Sequence, residues 1–536
     1  MLKENSKTKY IFILGSIMSG LGKGILASSI GKILQTCGFI VYPIKFDGYL
    51  NVDCGTMNPF RHGEVFVLDD GTECDMDLGT YERFLNISLN SQNSITGGKL
   101  FKKIIEKERA GGYLGKDVQF VPHLTNEIKS WIKKAAQEYS ADFCIIEIGG
   151  TVGDLENSYF IEAARQLAQE ERENTLFVQL TYVPFLSSGE PKTKPTQHSN
   201  RLIRSLGIHP QIIVCRTDEK LTKEAKEKIS LYCNIEQDCI FEDPKVEFIY
   251  ELPLVLEKQN FSQVLLSKFN ITDKKASLEN WAQYIQKLKN PTKKLNIAIS
   301  GKYTSVIDAY ASVKEAIVHA SCHLNIATEV DFVDTELLEN GKEPKDFLSK
   351  YDGIIVPGGF GSRGIDGKIK AIKYARENMV PFLGLCLGMQ LMVIEYARNV
   401  ANIKDATSEE FDENATNKVI HLLPSQQKIN QKGGTMRLGS WECILQKGTK
   451  AYQAYKAQRI FERHRHRYEV NNDYIKILEE KGLIFSGKSP DGKIVEMCEW
   501  PNSWGLATQA HAEFKSRLEN PSPLFIAFLE ACLNRK

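Results

Sequence analysis

Residues 381–397 read PFLGLCLGMQLMVIEYA, which joins a short apolar run, a tight Gly384-Leu-Cys386-Leu-Gly388 turn and a helix-forming stretch. Small residues flanking a cysteine permit the strained strand-to-helix turn known as a nucleophile elbow, which projects the central side chain. A strand that leads at once into a helix is the repeating unit of α/β proteins. The stretch therefore predicts an α/β element with Cys386 at its turn.

The same alternation extends outward from this stretch in both directions. Apolar runs rich in β-branched residues predict strands at Tyr10–Leu14, Phe143–Ile148, Leu176–Leu180, Ile212–Cys215, 295–300, Gly353–Val356 and Pro381–Leu385. Strands that alternate with helical stretches favour parallel sheets. We therefore expect an α/β protein with a P-loop-like parallel-sheet domain over 1–269, a charged helical linker over 270–294, and a second α/β domain over 295–536.

Bulk composition excludes several classes of protein. The 536 residues include 68 Lys and Arg against 67 Asp and Glu, so no global charge favours nucleic acid or a membrane surface. The apolar runs are far shorter than the ~20 residues of a membrane span, and the amino terminus is unlike a cleavable signal. Twelve scattered cysteines without a CxxC pair indicate neither a disulfide framework nor a zinc ribbon. We expect a protein of the reducing cytoplasm.

A glycine-rich loop follows the first strand. The run Gly15-Ser-Ile-Met-Ser-Gly-Leu-Gly-Lys23-Gly24 offers backbone N–H groups and a lysine to a polyphosphate. It departs from the standard P-loop because Gly24 stands where a magnesium-binding Ser or Thr is usual. The alternative is an ordinary glycine turn.

Acidic side chains lie where a metal bound to such a phosphate would need them. Asp47 follows a strand-like run, Asp77 lies in DMDLGTYERF, and Glu147 ends CIIEIGG. Carboxyl ends of parallel strands meet at one sheet edge, and magnesium prefers such hard oxygen ligands. Taken alone, each of these acids would more often be a solvated surface group.

A polar segment at 192–199, KTKPTQHS, is predicted to be a loop that binds a second anionic ligand. Lys192 and Lys194 supply positive charge, and Gln197 with the hydroxyl groups supplies hydrogen bonds. As a bare charge run the segment would instead face solvent.

Partners for a cysteine nucleophile occur in the same half of the chain. His511 is a candidate base and Glu513 a candidate for orienting it, which completes a Cys, His, acid relay. VPGGFGSRG at 356–364 suits an oxyanion hole, and RHRHRYEVN at 463–471 suits a clamp for a substrate carboxylate. The alternatives are a buried packing cysteine, a flexible turn and a basic surface patch.

Several of these motifs, in this order, resemble the CTP synthase family over about residues 8–530. The motifs are SGLGKG, YLNVD, GTM, HGEVFV, DLGTYERF, EIGGTVGDLE, KTKPTQHS, GKY, PGGFGSRG, GLCLGMQ, RHRHRYEVN and HAEF. The resemblance implies that ATP phosphorylates O4 of UTP, and that ammonia from glutamine then displaces the phosphate to give CTP. A passage that shelters the ammonia between the two sites is expected.

The resemblance also assigns roles to residues. It implies ATP binding by Ser19, Gly20, Leu21, Gly22, Lys23, Gly24, Ile25, Lys45 and Asp77, with magnesium held by Asp77 and Glu147. It implies UTP and CTP binding by Ser19, Asp154, Leu155, Glu156, Lys192, Thr193, Lys194, Pro195, Thr196, Gln197 and Lys228. It implies catalysis by Cys386, His511 and Glu513, and glutamine or oxyanion binding by Gly359, Leu387, Gly388, Met389, Gln390, Glu410 and Arg467.

Further family properties are expected without being placed on residues. They are GTP activation, inhibition by CTP, a homotetramer and, in some settings, filaments. Three positions depart from the family pattern: Gly48 and Cys54 replace common prolines, and Thr80 replaces a common histidine. Because proline restricts the backbone, the loss of the two prolines is expected to loosen a nucleotide-binding loop. The competing interpretations are another ATP-dependent amidoligase, or a nucleotide-binding assembly protein without catalysis.

Overall fold

The computed structural model describes residues 7–16, 18–58, 62–302, 307–423, 426 and 433–535. Contacts divide the chain into two compact units. The first contains the residues up to Asp53 and Thr80–Ile285, and the second contains Cys54–Gly79 and the residues from Gln286 onward. The domain limits predicted above assign 54–79 to the amino-terminal domain, whereas by contacts this segment packs with the second unit.

The strands follow one another along the whole chain. In order they are β1 (Lys9–Gly15), β2 (Val41–Asp47), β3 (Phe66–Val67), β4 (Glu73–Cys74), β5 (Ser94–Thr96), β6 (Phe143–Ile148), β7 (Thr175–Val183), β8 (Ile212–Thr217) and β9 (Ile240–Pro244). They continue as β10 (Lys293–Gly301), β11 (Ile326–Asp334), β12 (Gly353–Val356), β13 (Phe382–Leu385), β14 (Thr407–Ser408), β15 (Lys418–Leu422) and β16 (Arg437–Leu445). The last are β17 (Arg459–His466), β18 (Tyr468–Val470), β19 (Ile484–Lys488), β20 (Val495–Glu499) and β21 (Gly505–Thr508).

The α-helices alternate with these strands. In the first half they span Lys23–Thr36, Met76–Leu85, Gly97–Arg109, Thr125–Glu138, Ser158–Glu170, Lys194–Ser205, Lys223–Cys233, Leu252–Glu257, Phe261–Ser267 and Glu279–Lys289. In the second half they span Ala311–Leu324, Thr335–Glu339, Pro344–Leu348, Ile365–Glu377, Leu387–Asn399, Lys450–Tyr455, Ile475–Glu480 and Pro523–Arg535. The helix Glu279–Lys289 lies in the predicted linker.

The first unit is built on a seven-stranded parallel sheet in the order β5-β2-β6-β1-β7-β8-β9. Strands β2 and β6 are buried along their whole length, as expected for a sheet covered by helices on both faces. Stacked rings of Phe46 and Phe160 join the sheet to the helix Ser158–Glu170. The parallel α/β prediction for this region is confirmed.

The second unit contains a nine-stranded mixed sheet in the order β11-β10-β12-β13-β21-β20-β19-β16-β17. Strands β11, β10, β12, β13 and β21 pair in parallel, and the remaining strands pair antiparallel. The antiparallel hairpin of β3 and β4 belongs to this unit through the segment Cys54–Gly79. The carboxyl end of β13 leads directly to Cys386.

Candidate active site

Cys386 occupies a strained turn between β13 and the helix Leu387–Asn399, with φ 50° and ψ −101°. A non-glycine residue adopts a positive φ only at a cost of roughly 1–3 kcal/mol, which the surrounding packing must offset. A Cβ at Gly388 would lie 2.1 Å from the carbonyl oxygen of Val356, so glycine is required for this close approach. The predicted strand, tight turn and helix are all present.

His511 and Glu513 form a buried pair in the same unit. Nδ1 of His511 lies 2.7 Å from Oε1 of Glu513, and the imidazole stacks on the ring of Phe514 at a centroid distance of 4.8 Å. Burial lowers the pKa of His511, but the charges of Glu513 and Cys386 outweigh burial and raise this pKa to about 10. The imidazole is therefore protonated at neutral pH, which suits a partner of a thiolate.

Polar groups around the sulfur include one that the sequence analysis missed. The side-chain amide of Gln509 donates to Sγ of Cys386 at 3.6 Å. The carbonyl of Arg465 lies 3.7 Å from the same sulfur. The Gln390 amide donates to the Tyr468 carbonyl at 2.9 Å, so this predicted glutamine ligand lies beside the turn. The sequence offered one signal for Gln509, because this residue lies two positions before the predicted base His511.

The glycine loop 358–361 lies against the cysteine and histidine. A Cβ at Gly358 would lie 2.8 Å from Cε1 of His511 and 3.6 Å from Cβ of Cys386. The N–H of Gly361 donates to Glu410 at 2.8 Å, and burial raises the pKa of that carboxyl group. The loop thus lies beside the cysteine and histidine, and its role as an oxyanion hole stays a prediction.

The arginine-rich segment is mostly buried, so the alternative of a basic surface patch is wrong for its first two arginines. Arg463 is fully buried and donates to Asp69 at 2.7 Å. Arg465 donates to Glu73 at 2.8 Å. Arg467 lies between β17 and β18 and donates to Thr435 Oγ1 at 2.9 Å.

The segment Cys54–Gly79 lines this part of the second unit, which sequence reasoning did not foresee. Phe66 packs on Phe514 at a centroid distance of 5.0 Å, and Phe514 in turn stacks on His511. The N–H of Ser312 donates to the Glu64 carboxylate at 3.1 Å. Local patterns do not report contacts between residues this far apart in the chain.

A cavity of about 80 Å³ adjoins the cysteine and histidine. Its apolar wall includes Val65, Ala309 and Val313. The predicted glutamine ligands Gln390 and Arg467 are not among its lining residues. Gly359, which was predicted to bind the oxyanion, does line it.

The first unit holds the glycine loop that was predicted to bind phosphate. Ser19, Gly20, Leu21 and Gly22 lie in the turn after β1, and Lys23, Gly24 and Ile25 form the first turn of the helix Lys23–Thr36. Gly20 and Gly22 have φ of 75° and 94°, a region that favours glycine. Nζ of Lys23 donates to the carbonyl of Gly150 at 2.7 Å, just beyond the end of β6.

Lys45 and Glu147 face each other across adjacent parallel strands. They are register partners in β2 and β6, both are buried, and Nζ of Lys45 lies 2.6 Å from Oε1 of Glu147. The Tyr81 hydroxyl donates to the other carboxylate oxygen. Asp47 is buried at the end of β2 and accepts from the Tyr49 hydroxyl at 3.2 Å. A carboxylate beside a phosphate-type loop fits the chemistry of a magnesium ligand.

Asp77 lies in the first turn of the helix Met76–Leu85, and its N–H donates to Asp75 Oδ1 at 2.9 Å. By contacts Asp77 belongs to the second unit, whereas Glu147 belongs to the first. Their pairing around one metal stays a prediction.

The segment 192–199 is not a loop throughout, and that prediction is corrected. Lys194, Pro195, Thr196 and Gln197 begin the helix Lys194–Ser205. Proline is tolerated at the start of a helix because the N–H groups there lack helical acceptors. Gln197 donates to Thr193 at 3.0 Å.

Lys192 and Lys228 act on the same carboxylate. The hydrogen bond from Lys192 holds the pKa of Glu190 below its usual range, and the charge of Lys228 lowers it further. Lys228 lies on the helix Lys223–Cys233. The structure thus brings these two predicted anion-binding lysines into one neighbourhood.

The turn with Asp154, Leu155 and Glu156 follows β6 and packs against the loop that contains Gly48. Asp154 Oδ2 accepts from the N–H of Thr151 at 2.7 Å. A Cβ at Gly48 would lie 2.7 Å from the carbonyl oxygen of Glu156. Glycine at this position therefore permits a close approach of the two loops. Cys54 and Thr80 are both buried.

Comparison with known proteins gives two family matches that cover most of the chain. Residues 9–271 match the family described as CTP synthase N-terminus, and residues 305–531 match glutamine amidotransferase class-I. Among curated relatives, a CTP synthase of Caldanaerobacter subterraneus subsp. tengcongensis is 50% identical over 98% of this chain and 99% of its own. A CTP synthase of Carboxydothermus hydrogenoformans is 51% identical over the same shares.

The solved structures similar to this chain include the glutaminase domain of Trypanosoma brucei CTPS with bound acivicin. It is 38% identical, covers 45% of this chain and 94% of its own, and has a TM-score of 0.42.

The fold and the site define a class I glutamine amidotransferase joined in one chain to a parallel-sheet synthetase domain. The chain belongs to the CTP synthase family. Among the described residues, no helix combines the length and apolarity needed to cross a membrane.

Proposed function

We propose that this protein converts UTP to CTP with ATP as cosubstrate and ammonia released from glutamine. The observation that carries the proposal is the buried Cys386, His511 and Glu513 arrangement in a chain that matches the CTP synthase family from end to end. The first unit contributes a glycine loop and the buried pair of Lys45 and Glu147. Each unit thus supports one half of the reaction.

In the glutaminase half, Cys386 attacks the side-chain amide of glutamine and forms a thioester. The strained turn at the start of a helix directs the cysteine side chain into the cavity that His511 also lines, and the helix dipole favours negative charge there. His511 gives its proton to the departing ammonia and then takes one from the water that releases glutamate. Glu513 holds the imidazole through Nδ1 and leaves Nε2 for this transfer.

Backbone and side-chain groups around the turn hold the glutamine. The N–H groups of Gly359 and Leu387 would donate to the oxyanion, because Leu387 begins a helix whose first N–H groups lack helical acceptors. Gly388 and Met389 continue that first turn. Glu410 and Arg467 would hold the ammonium and carboxylate ends of glutamine through opposite charge, and Gln390 would contribute its neutral amide as a hydrogen-bonding group.

In the synthetase half, Lys23 and Lys45 would hold the ATP phosphates together with the loop from Ser19 to Ile25. Asp77 and Glu147 would hold magnesium, which when bound offsets the charge that develops in phosphoryl transfer. Tyr81 and Lys45 orient the Glu147 carboxylate through their hydrogen bonds.

The UTP site, which CTP would share, is placed by the same reasoning. Lys192 and Lys228 supply positive charge in one neighbourhood, as their joint effect on Glu190 indicates. The remaining members are Ser19, Asp154, Leu155, Glu156, Thr193, Lys194, Pro195, Thr196 and Gln197. The amino-terminal turn of the helix Lys194–Ser205 favours an anion, because its N–H groups point outward.

The cavity beside Cys386 supports a sheltered exit for ammonia, because Val65, Ala309 and Val313 form an apolar part of its wall beside polar residues that include Glu64 and Arg465. Family membership supports GTP activation, CTP inhibition, a homotetramer with the capacity for filaments, and a cytoplasmic location. It also supports the domain limits of 1–269 and 295–536 with the linker between them.

The test is the change in absorbance as UTP becomes CTP, with ATP, magnesium and either glutamine or ammonium. Turnover of UTP with both nitrogen sources, and of no other pyrimidine nucleotide at a comparable rate, is the expected result. ATP hydrolysis that is independent of UTP would show that the substrate assignment is wrong and would favour another amidoligase.

A further inference from the structure

Lys368 is a charged side chain that the proposed mechanism does not use. It lies on the helix Ile365–Glu377, is fully buried, and its Nζ has no hydrogen-bond acceptor among the residues that the structure describes. A buried ammonium without an acceptor is strongly unfavourable. Burial accordingly lowers the pKa of Lys368 to about 7. An acceptor that arrives during the reaction would remove this penalty.

The lysine lies behind the glycine loop of the glutaminase site. Its Nζ is 3.7 Å from the position that a Cβ on Gly359 would occupy. A Cβ on the preceding Gly358 would instead approach Cε1 of His511 and Cβ of Cys386. The loop therefore approaches the catalytic pair at Gly358 and the buried ammonium at Gly359.

Further along the loop, both the Phe360 carbonyl and the Gly361 N–H have hydrogen-bond partners. Nζ of Lys302 donates to the carbonyl of Phe360. The N–H of Gly361 donates to Glu410 at 2.8 Å. A lysine behind the loop can thus hold a carbonyl of this loop, as Lys302 does.

The geometry of a peptide unit connects Lys368 to the oxyanion. In a planar trans peptide the C=O and N–H bonds point in opposite directions. When the N–H of Gly359 points toward the oxygen of an amide held at Cys386, the carbonyl of Gly358 must point away from it. A carbonyl in that orientation could accept from the Nζ of Lys368, which lies beside Gly359.

We propose that Lys368 is a positioning residue: when glutamine binds, its Nζ donates to the carbonyl of Gly358 and so holds the N–H of Gly359 toward the oxyanion. The inference rests on the proposed glutaminase function of Cys386. It adds a group that acts through the backbone without touching the glutamine.

The test compares Lys368→Met, which keeps the length of the side chain and removes its charge, with Lys373→Met as control. Lys373 lies on the same helix, but its side chain is 44% exposed. Four quantities are measured on the full-length enzyme: kcat and KM for glutamine, turnover with ammonium, and the rate at which iodoacetamide alkylates Cys386. Alkylation needs the thiolate but no oxyanion hole.

The expected result for Lys368→Met is a kcat for glutamine hydrolysis lower by about 10²-fold, the size of effect seen when one oxyanion donor is lost. KM for glutamine, ammonium turnover and the alkylation rate should stay within about twofold of the control. An unchanged kcat would overturn the inference, as would parallel losses of glutamine and ammonium turnover. A Cys386→Ala variant measured alongside distinguishes failure of the Lys368 inference from failure of the proposed function. If Cys386→Ala retains glutamine hydrolysis, the proposed glutaminase function itself is wrong.

Discussion

The guanidinium of Arg465 and the carboxylate of Glu73 lie 2.8 Å apart in the second unit, although 392 residues separate them in the chain. Both side chains are largely buried, and the Arg465 carbonyl also lies 3.7 Å from Sγ of Cys386. The pair therefore ties the segment Cys54–Gly79 to the strand beside the candidate nucleophile.

Glu73→Gln is expected to destabilise the second unit and to impair glutamine use. Removal of one partner leaves a buried cation uncompensated, at a cost of about 3–5 kcal/mol. We expect a clear drop in the midpoint of thermal unfolding and a loss of glutamine-driven turnover. The control is Glu442→Gln, which breaks an exposed pair with Arg459 worth about 0–1 kcal/mol. Equal midpoints of thermal unfolding for the two variants would contradict the stabilising role of the Glu73–Arg465 pair.

This contact also shows what the sequence could not predict. The run at 463–471 has alternating arginine and histidine, which is compatible with a basic surface, and its acidic partners lie in a distant hairpin. Nothing local in the sequence joins Asp69 or Glu73 to β17, because the pairing arises from tertiary packing. The strands, by contrast, were predictable, since fully buried parallel strands are continuous apolar runs.

Lys45→Met is expected to abolish CTP formation and to spare the other half of the enzyme. The substitution removes the cation that faces Glu147 and would hold the ATP phosphates. CTP formation should fall by at least about 10²-fold with glutamine and with ammonium alike, because both routes need the phosphorylated UTP. Glutamate release measured in the same samples should persist.

The matched control for this change is Lys134→Met, which removes an exposed lysine of the first unit. Its CTP formation should equal that of the unsubstituted enzyme. If Lys45→Met made CTP from ammonium at the normal rate, the role of Lys45 would be wrong.

Glu513→Gln is expected to shift the titration of His511 downward. Burial favours the neutral imidazole, and the charge of Glu513 is the first of the opposing influences that raise the pKa to about 10. A folded pKa above the unfolded value of ~6.5 contributes stability that is fully present below pH ~6.5 and is lost as pH rises through about 10. The stability difference between the parent enzyme and Glu513→Gln should therefore shrink across this interval.

Urea unfolding at pH values between 6 and 10 measures that difference. A difference that stays constant or grows with pH would contradict a raised pKa. The same variant should also lose glutamine hydrolysis while it keeps ammonium-driven turnover, since only the glutaminase half uses His511.

The candidate site was predictable where a local pattern dictates the backbone. The glycines around Cys386 predict the strained turn. The close approach of Gly388 to the Val356 carbonyl explains why glycine is needed at position 388. Lys368 could not be predicted in the same way. It shares an amphipathic helix with Lys370 and Lys373, and only the packing of that helix shows which lysine is buried.

The loop prediction for the segment 192–199 was wrong for a related reason. Proline and the polar residues of KTKPTQHS are typical of loops, but proline also occurs in the first turn of a helix. Thr193 precedes that helix, and the buried Thr196 bonds with Thr181 on β7 at 3.2 Å. Tertiary packing decided between the two structures.

The central claim is that one chain joins a cysteine glutaminase to a UTP-aminating synthetase, and Cys386→Ala tests it most directly. CTP formation is followed by absorbance, with glutamine and with ammonium as alternative nitrogen sources, for the parent enzyme and the variant. The account predicts that the variant loses glutamine-driven turnover by at least about 10³-fold and keeps ammonium-driven turnover within about twofold. CTP formation from glutamine by the variant at the parent rate would contradict it.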